Sequence, residues 1–125
     1  MKEKIVSANA PAAIGPYSQG TAFGDMVFTS GQLPIDPSTG VMPEDIKEQT
    51  LQSLKTVAAV LDAVGSDVSK ALKVTVFLKD MNDFVAMNEV YAEFFGDCVF
   101  PARSAIQVAR LPKDALVEIE VIAAK

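Results

Sequence analysis

The sequence predicts an α+β fold: one mixed β-sheet with two helices on one face, in the order β β α β α β β. Three features lead there. Residues 44–64 and 83–95 repeat apolar side chains at helical spacing. Other segments alternate apolar and polar residues, as half-buried strands do. Turns containing Gly and Pro separate these segments at regular intervals. At 125 residues, 50% hydrophobic and 22% charged, the chain fits a single domain over residues 1–125 that can bury a core.

The elements follow in order. Residues 11–20 hold Pro11, Gly15, Pro16 and Gly20 and read as an ordered, irregular loop. Residues 21–23 and 26–30 flank Gly24-Asp25 as a hairpin. Residues 36–40, Asp-Pro-Ser-Thr-Gly, make a turn. In the first helix Thr50, Leu54, Val57, Leu61 and Val64 form one stripe, and Gly65 stands at its C-terminal end. Leu72, Val74, Val76 and Leu78 then give a strand one apolar face. Asp80 or Asn82 caps the second helix, whose stripe is Phe84, Met87, Tyr91 and Phe94. Residues 103–109 and 116–123 read as a closing hairpin around Pro112-Lys113. In that register Gln107 pairs with Glu118 and Ala105 with Glu120. Arg103, Gln107, Glu118 and Glu120 would then share one sheet face. The face without helices needs covering, so an oligomer is expected.

Composition narrows the chemistry. There is no histidine, which excludes Ser-His-Asp and Cys-His catalysis and the usual zinc sites. The single cysteine, Cys98, can form no disulfide within the chain and has no histidine to activate it. A net charge of −5 and a pI near 4.6 argue against nucleic-acid binding. No apolar run approaches the ~18 residues of a membrane span. Residues 1–7 hold no apolar stretch of the signal-peptide kind, so a cytoplasmic protein is expected. Asp80, Asn82 and Asp83 lack the glycine and downstream glutamate of a calcium loop, and no metal site is expected.

Two constellations remain. Arg103 can grip a carboxylate with its planar fork, and Glu118 can orient or deprotonate a water, with Glu120 beside it. A small keto-type acid attacked by water needs both functions. In the hairpin register the two are offset by roughly 13 Å, a span that two long side chains can close around a small molecule. A surface ion pair is the competing reading. The second constellation joins the loop Gly15-Pro16-Tyr17-Ser18-Gln19 to Thr29-Ser30-Gly31-Gln32. A rigid loop can present a phenol to a pocket, and Gly31 can bring a backbone N–H close to a ligand. Ordinary turn chemistry competes here. Neither segment has the glycine spacing or the lysine of a phosphate loop.

Residues 10–20 (APAAIGPYSQG), Thr29-Ser30-Gly31-Gln32, Pro101-Ala102-Arg103-Ser104 and residues 108–120 (VARLPKDALVEIE) together resemble the Rid family, also called YjgF. Residues 76–80 and 82–84 extend the resemblance to nearly the whole chain. It implies a chorismate-mutase-like fold and a homotrimer whose sheets pack into a central barrel, with a cleft at each subunit interface. It implies hydrolysis of 2-imino and 2-enamino acids, such as 2-iminobutanoate and 2-iminopropanoate, to 2-keto acids and ammonia. These substrates arise from pyridoxal-phosphate-dependent serine and threonine dehydratases; the hydrolysis itself takes no cofactor and no metal. By motif, Arg103 would bind the substrate carboxylate and Glu118 would position the water. Tyr17, Ser30 and Gly31 would complete the cleft from the neighbouring subunit, and Asn88 and Ala105 would line it. Ala105 stands where the family motif has a cysteine, which leaves the position serviceable if it acts through its backbone. A regulatory trimer that binds keto acids without turnover is the alternative. RNA cleavage fits the charge poorly, and chorismate mutase activity rests on fold analogy alone.

Overall fold

The computed structural model describes residues 1–125. The strands are β1 (Glu3–Ile5), β2 (Gly20–Phe23), β3 (Met26–Thr29), β4 (Ala71–Leu78), β5 (Ala102–Gln107) and β6 (Val117–Ala124). Helix α1 (Ile46–Asp62) follows β3, and α2 (Phe84–Phe95) lies between β4 and β5. All strands join one mixed sheet in the order β1-β2-β3-β6-β4-β5, with both helices on one face. No helix is long and apolar enough to cross a membrane.

Local chemistry sets the elements. Asp45 caps α1, its carboxylate accepting from the N–H groups of Lys47 (3.0 Å) and Glu48 (3.1 Å). Gly65, at φ +80°, closes it; the N–H groups of Gly65 and Ser66 return to the carbonyls of Asp62 and Leu61 at 3.0 Å each. Asp80 does not cap α2. It caps a short 3-10 turn over Met81–Asp83 that leads into the helix. Leu54, Val57, Val60 and Leu61 of α1 and Met87, Tyr91 and Phe95 of α2 pack onto Val27, Val74, Val76, Leu78, Ile119 and Val121 of the sheet. Each such side chain contributes about 1.5–3 kcal/mol by leaving water. Strand β1 was not expected. Its three residues are too few to show alternation, and only Ile5 is buried.

The closing hairpin is not formed. Strand β5 pairs with β4 in parallel, Arg103 opposite Val74 and Ala105 opposite Val76. Strand β6 lies on the other side of β4, antiparallel to it, and also pairs with β3. The reason is topological. Helix α2 carries the chain back over the sheet after β4, so the next strand must run parallel to β4. Val117, Ile119, Val121 and Ala123 are buried by the helices, so β6 takes a central place, and β5 is left at the edge.

The faces change accordingly. Arg103, Ala105 and Gln107 share register with Val74, Val76 and Leu78 and point to the helix side. Glu118 and Glu120 pair with Phe77 and Thr75 and point to the bare side. The four residues expected on one face are therefore split between two. The bare face is partly apolar, with Phe28 40% and Ile106 46% exposed among Lys73, Thr75, Phe77, Glu118, Glu120 and Ile122.

Candidate active site

Two half-sites stand on the two faces. The first is built around Glu118. The segment after β3 turns back on β6 through a bridge in which Gln32 and Ile119 exchange backbone hydrogen bonds of 2.8 and 3.3 Å. Ser53 of α1 fixes the same segment by donating to the Gln32 carbonyl (2.9 Å). This lays Gly31 against Glu118: a Cβ on Gly31 would stand 2.7 Å from the carboxyl carbon and from Oε2. Only glycine leaves that carboxyl where it is. Ser30 donates its hydroxyl to the Ser18 carbonyl (2.5 Å), and its N–H to the Gln19 carbonyl (2.8 Å). The loop bearing Tyr17 is thus tied to the Gly31 segment.

Gln19 ends the Gly15–Gln19 loop, and although its residue type assigns it no role, it organises this loop. It is buried and accepts from the Ser7 N–H (2.7 Å). Its amide donates to the carbonyls of Ser7 (3.0 Å), Ala10 (3.2 Å) and Pro11 (2.8 Å). A glutamine in a loop gives no sequence signal of such a role. Tyr17 itself remains exposed, with its N–H donating to the Gly15 carbonyl (2.8 Å).

Glu118 is half-buried. Burial, and then the neighbouring charge of Glu120, push its pKa above the ordinary 4.5. A carboxylate so placed is a stronger base than one in free solution.

The second half-site is built around Arg103. Its Nη1 donates to Asn88 Oδ1 at 2.6 Å. Its guanidinium carbon lies 5.5 Å from the ring centre of Phe84 and 4.7 Å from that of Tyr91. The remaining N–H groups have no partner in the chain, and no carboxylate pairs with it. Arg103 lines a cavity of about 440 Å³ together with Asn88, Tyr91, Ala92, Phe100 and Pro101. A half-buried cation with free donors beside a cavity is suited to a carboxylate. Phe84 and Tyr91 read as core in the sequence. Their contact with Arg103 follows from the parallel placement of β5 beside β4.

The other expected residues fall as follows. Asn88 touches Arg103 and sits on the cavity. Ala105 is on the Arg103 side, packed against the core. Gln107 accepts from the Met81 N–H (2.8 Å) and ties β5 to the turn before α2. Ser30, Gly31 and Glu118 belong to the first half-site, whereas Tyr17, exposed, lines a separate groove with Ile14, Leu33, Pro37 and Lys113. Within one chain the sheet separates Arg103 from Glu118, and no group of three or more metal-ligating side chains occurs.

Residues 7–125 match the family model described as Endoribonuclease L-PSP. A RutC family protein of Pyrococcus horikoshii is 56% identical, over 100% of this chain and 99% of its own. The 2-iminobutanoate/2-iminopropanoate deaminase of Salmonella typhimurium is 52% identical, again over 100% of this chain and 99% of its own. Among solved structures, E. coli TdcF with bound serine superposes with a TM-score of 0.95 at 50% identity, over 98% of both chains.

Proposed function

This chain belongs to the Endoribonuclease L-PSP family, the Rid or YjgF family, and on that basis we propose that it hydrolyses reactive 2-imino and 2-enamino acids to 2-keto acids and ammonia. The observation that carries the reading is Arg103: a half-buried guanidinium with free donors, no counter-charge and a cavity beside it. A small 2-imino acid supplies the missing carboxylate. The bound serine in the TdcF structure is an amino acid of similar size, and the deaminase name of the Salmonella relative gives the reaction.

The chemistry divides between two copies of the chain. Arg103 of one copy holds the substrate carboxylate. Glu118 of a neighbouring copy accepts a proton from a water whose oxygen adds to the imine carbon. The imine nitrogen takes a proton from solvent as the carbinolamine forms, Glu118 then returns its proton to that nitrogen, and ammonia leaves as the hydroxyl gives its proton to solvent and the carbonyl forms, so one water is consumed for each ammonia. Tyr17, Ser30 and Gly31 close the cleft on the Glu118 side; Asn88 and Ala105 line it on the Arg103 side. No metal or cofactor takes part. Placement and base assistance contribute about 10²–10⁴-fold in rate.

The assembly is read as a homotrimer in which the bare sheet faces cover one another, and the partly apolar character of that face supports it. The protein is taken to be cytoplasmic and to serve serine and threonine dehydratases that release its substrates. The net charge of −5 disfavours RNA, despite the name of the family model.

The test is a coupled assay in which a threonine dehydratase generates the imine while semicarbazide competes for it. The protein should lower semicarbazone formation, and the Arg103→Ala variant should not. A wild type that binds 2-ketobutyrate and leaves semicarbazone formation unchanged would replace turnover by binding alone.

A further inference from the structure

Phe84, Asn88 and Tyr91 stand four and then three residues apart on one stripe of α2, and all three touch Arg103. Both ring centres lie within the ~6 Å at which an aromatic face attracts a cation. We propose that Tyr91, with Phe84, is a positioning residue: the ring faces and the Asn88 hydrogen bond hold the guanidinium so that its free N–H groups meet the substrate carboxylate. The substrate in this statement rests on the deaminase reading; the geometry does not.

The Tyr91 hydroxyl identifies which part of the residue acts. It is buried, with the residue 4% exposed, and it makes no hydrogen bond. Burial also raises its pKa, so the phenol stays neutral. Nothing in the chain uses the hydroxyl, and the ring is what Arg103 meets. An arginine is a long, rotamer-rich side chain whose ordering on binding costs affinity. Two rings and an amide that order it beforehand lower that cost, and the benefit appears in substrate binding.

The experiment compares Tyr91→Phe with Tyr91→Leu. Arg103 and Arg110 are the only arginines, and Arg110 is exposed and pairs with Asp114, so two guanidinium Nε–H signals are expected by NMR without any ligand. The Arg103 signal should carry a ring-current shift that Tyr91→Phe keeps and Tyr91→Leu largely loses. In turnover, Tyr91→Leu should raise KM about 3–30-fold with a much smaller change in kcat, and Tyr91→Phe should raise it far less than Tyr91→Leu does. A Tyr91→Leu variant with the wild-type signal and KM would overturn the proposal. So would a Tyr91→Phe variant as impaired as Tyr91→Leu, which would move the role to the hydroxyl. Should Tyr91→Leu fail to fold, Phe84→Leu removes the other, half-buried ring and should shift signal and KM in the same direction; wild-type values there would overturn the proposal. If the wild type binds 2-ketobutyrate but turns over no imine, the deaminase reading fails by itself. The positioning role is then judged from the ligand-free Arg103 signal and the Kd for 2-ketobutyrate.

Discussion

Gly31 has no room for a side chain, because the Glu118 carboxyl occupies the space where a Cβ would stand. Gly31→Ala should therefore displace the carboxylate and lower kcat by about tenfold or more, as a catalytic group moved out of line does; an unchanged kcat in a crystal structure with Glu118 unmoved would contradict this. Glu118→Ala should slow turnover by about 10²–10⁴-fold while 2-ketobutyrate binding, measured by calorimetry, stays near that of the wild type. The pH dependence follows from the raised pKa of Glu118. In the proposed mechanism its ionised form is the base, so activity should rise with pH through a pKa above 4.5. Glu120→Gln removes the like charge and should move that acid limb of kcat/KM to lower pH; a limb that stays or moves up would sink the coupling. For stability the sign is opposite: the fold favours protonated Glu118, a contribution present below 4.5 and lost as pH rises through the raised pKa. At this scale Arg103, Glu118 and Gly31 were legible as candidates from residue type and motif, and the structure sets Gly31 against Glu118 but Tyr17 in a groove of its own. Gln19, Phe84 and Tyr91 were not legible, since their roles depend on partners far away in the sequence or across a helix–strand contact.

The elements read well wherever periodicity ran long enough. The stripe of α1 and the alternation of β4 and β6 are the clearest cases, and each faces the core as its pattern required except at Leu72, which a register shift between Ala71 and Lys73 turns outward while Ala71 is buried. Strand pairing read badly. Strands β5 and β6 are neighbours in sequence but not in the sheet, because β4 lies between them. Alternation reports which residues share a face of one strand. It does not report which strand lies alongside, and that choice came from the crossover through α2. The consequence was functional, because it put Arg103 and Glu118 on the wrong relative faces. One element-level prediction concerns the start of α1. Asp45→Ala removes both side-chain cap bonds and should lower unfolding free energy by about 1 kcal/mol. Urea titration checks it, and wild-type stability in that variant would count against the cap.

For the whole molecule, the division of the site across the sheet is what matters. A substrate small enough for the Arg103 cavity cannot reach through a packed sheet to Glu118 of the same chain. In the assembly proposed above, a second copy brings its Glu118 to the Arg103 cavity, which lies beside the edge strand β5. Complementation between two inactive variants tests this without disturbing the fold. Arg103→Ala and Glu118→Ala protein would be unfolded together, refolded as a mixture and assayed for imine hydrolysis. A cleft drawn from two copies regains about a quarter of the wild-type sites at equal mixing, since each interface needs an intact Arg103 from one side and an intact Glu118 from the other. A mixture no more active than its two components would contradict the shared cleft and require both residues to act within one chain.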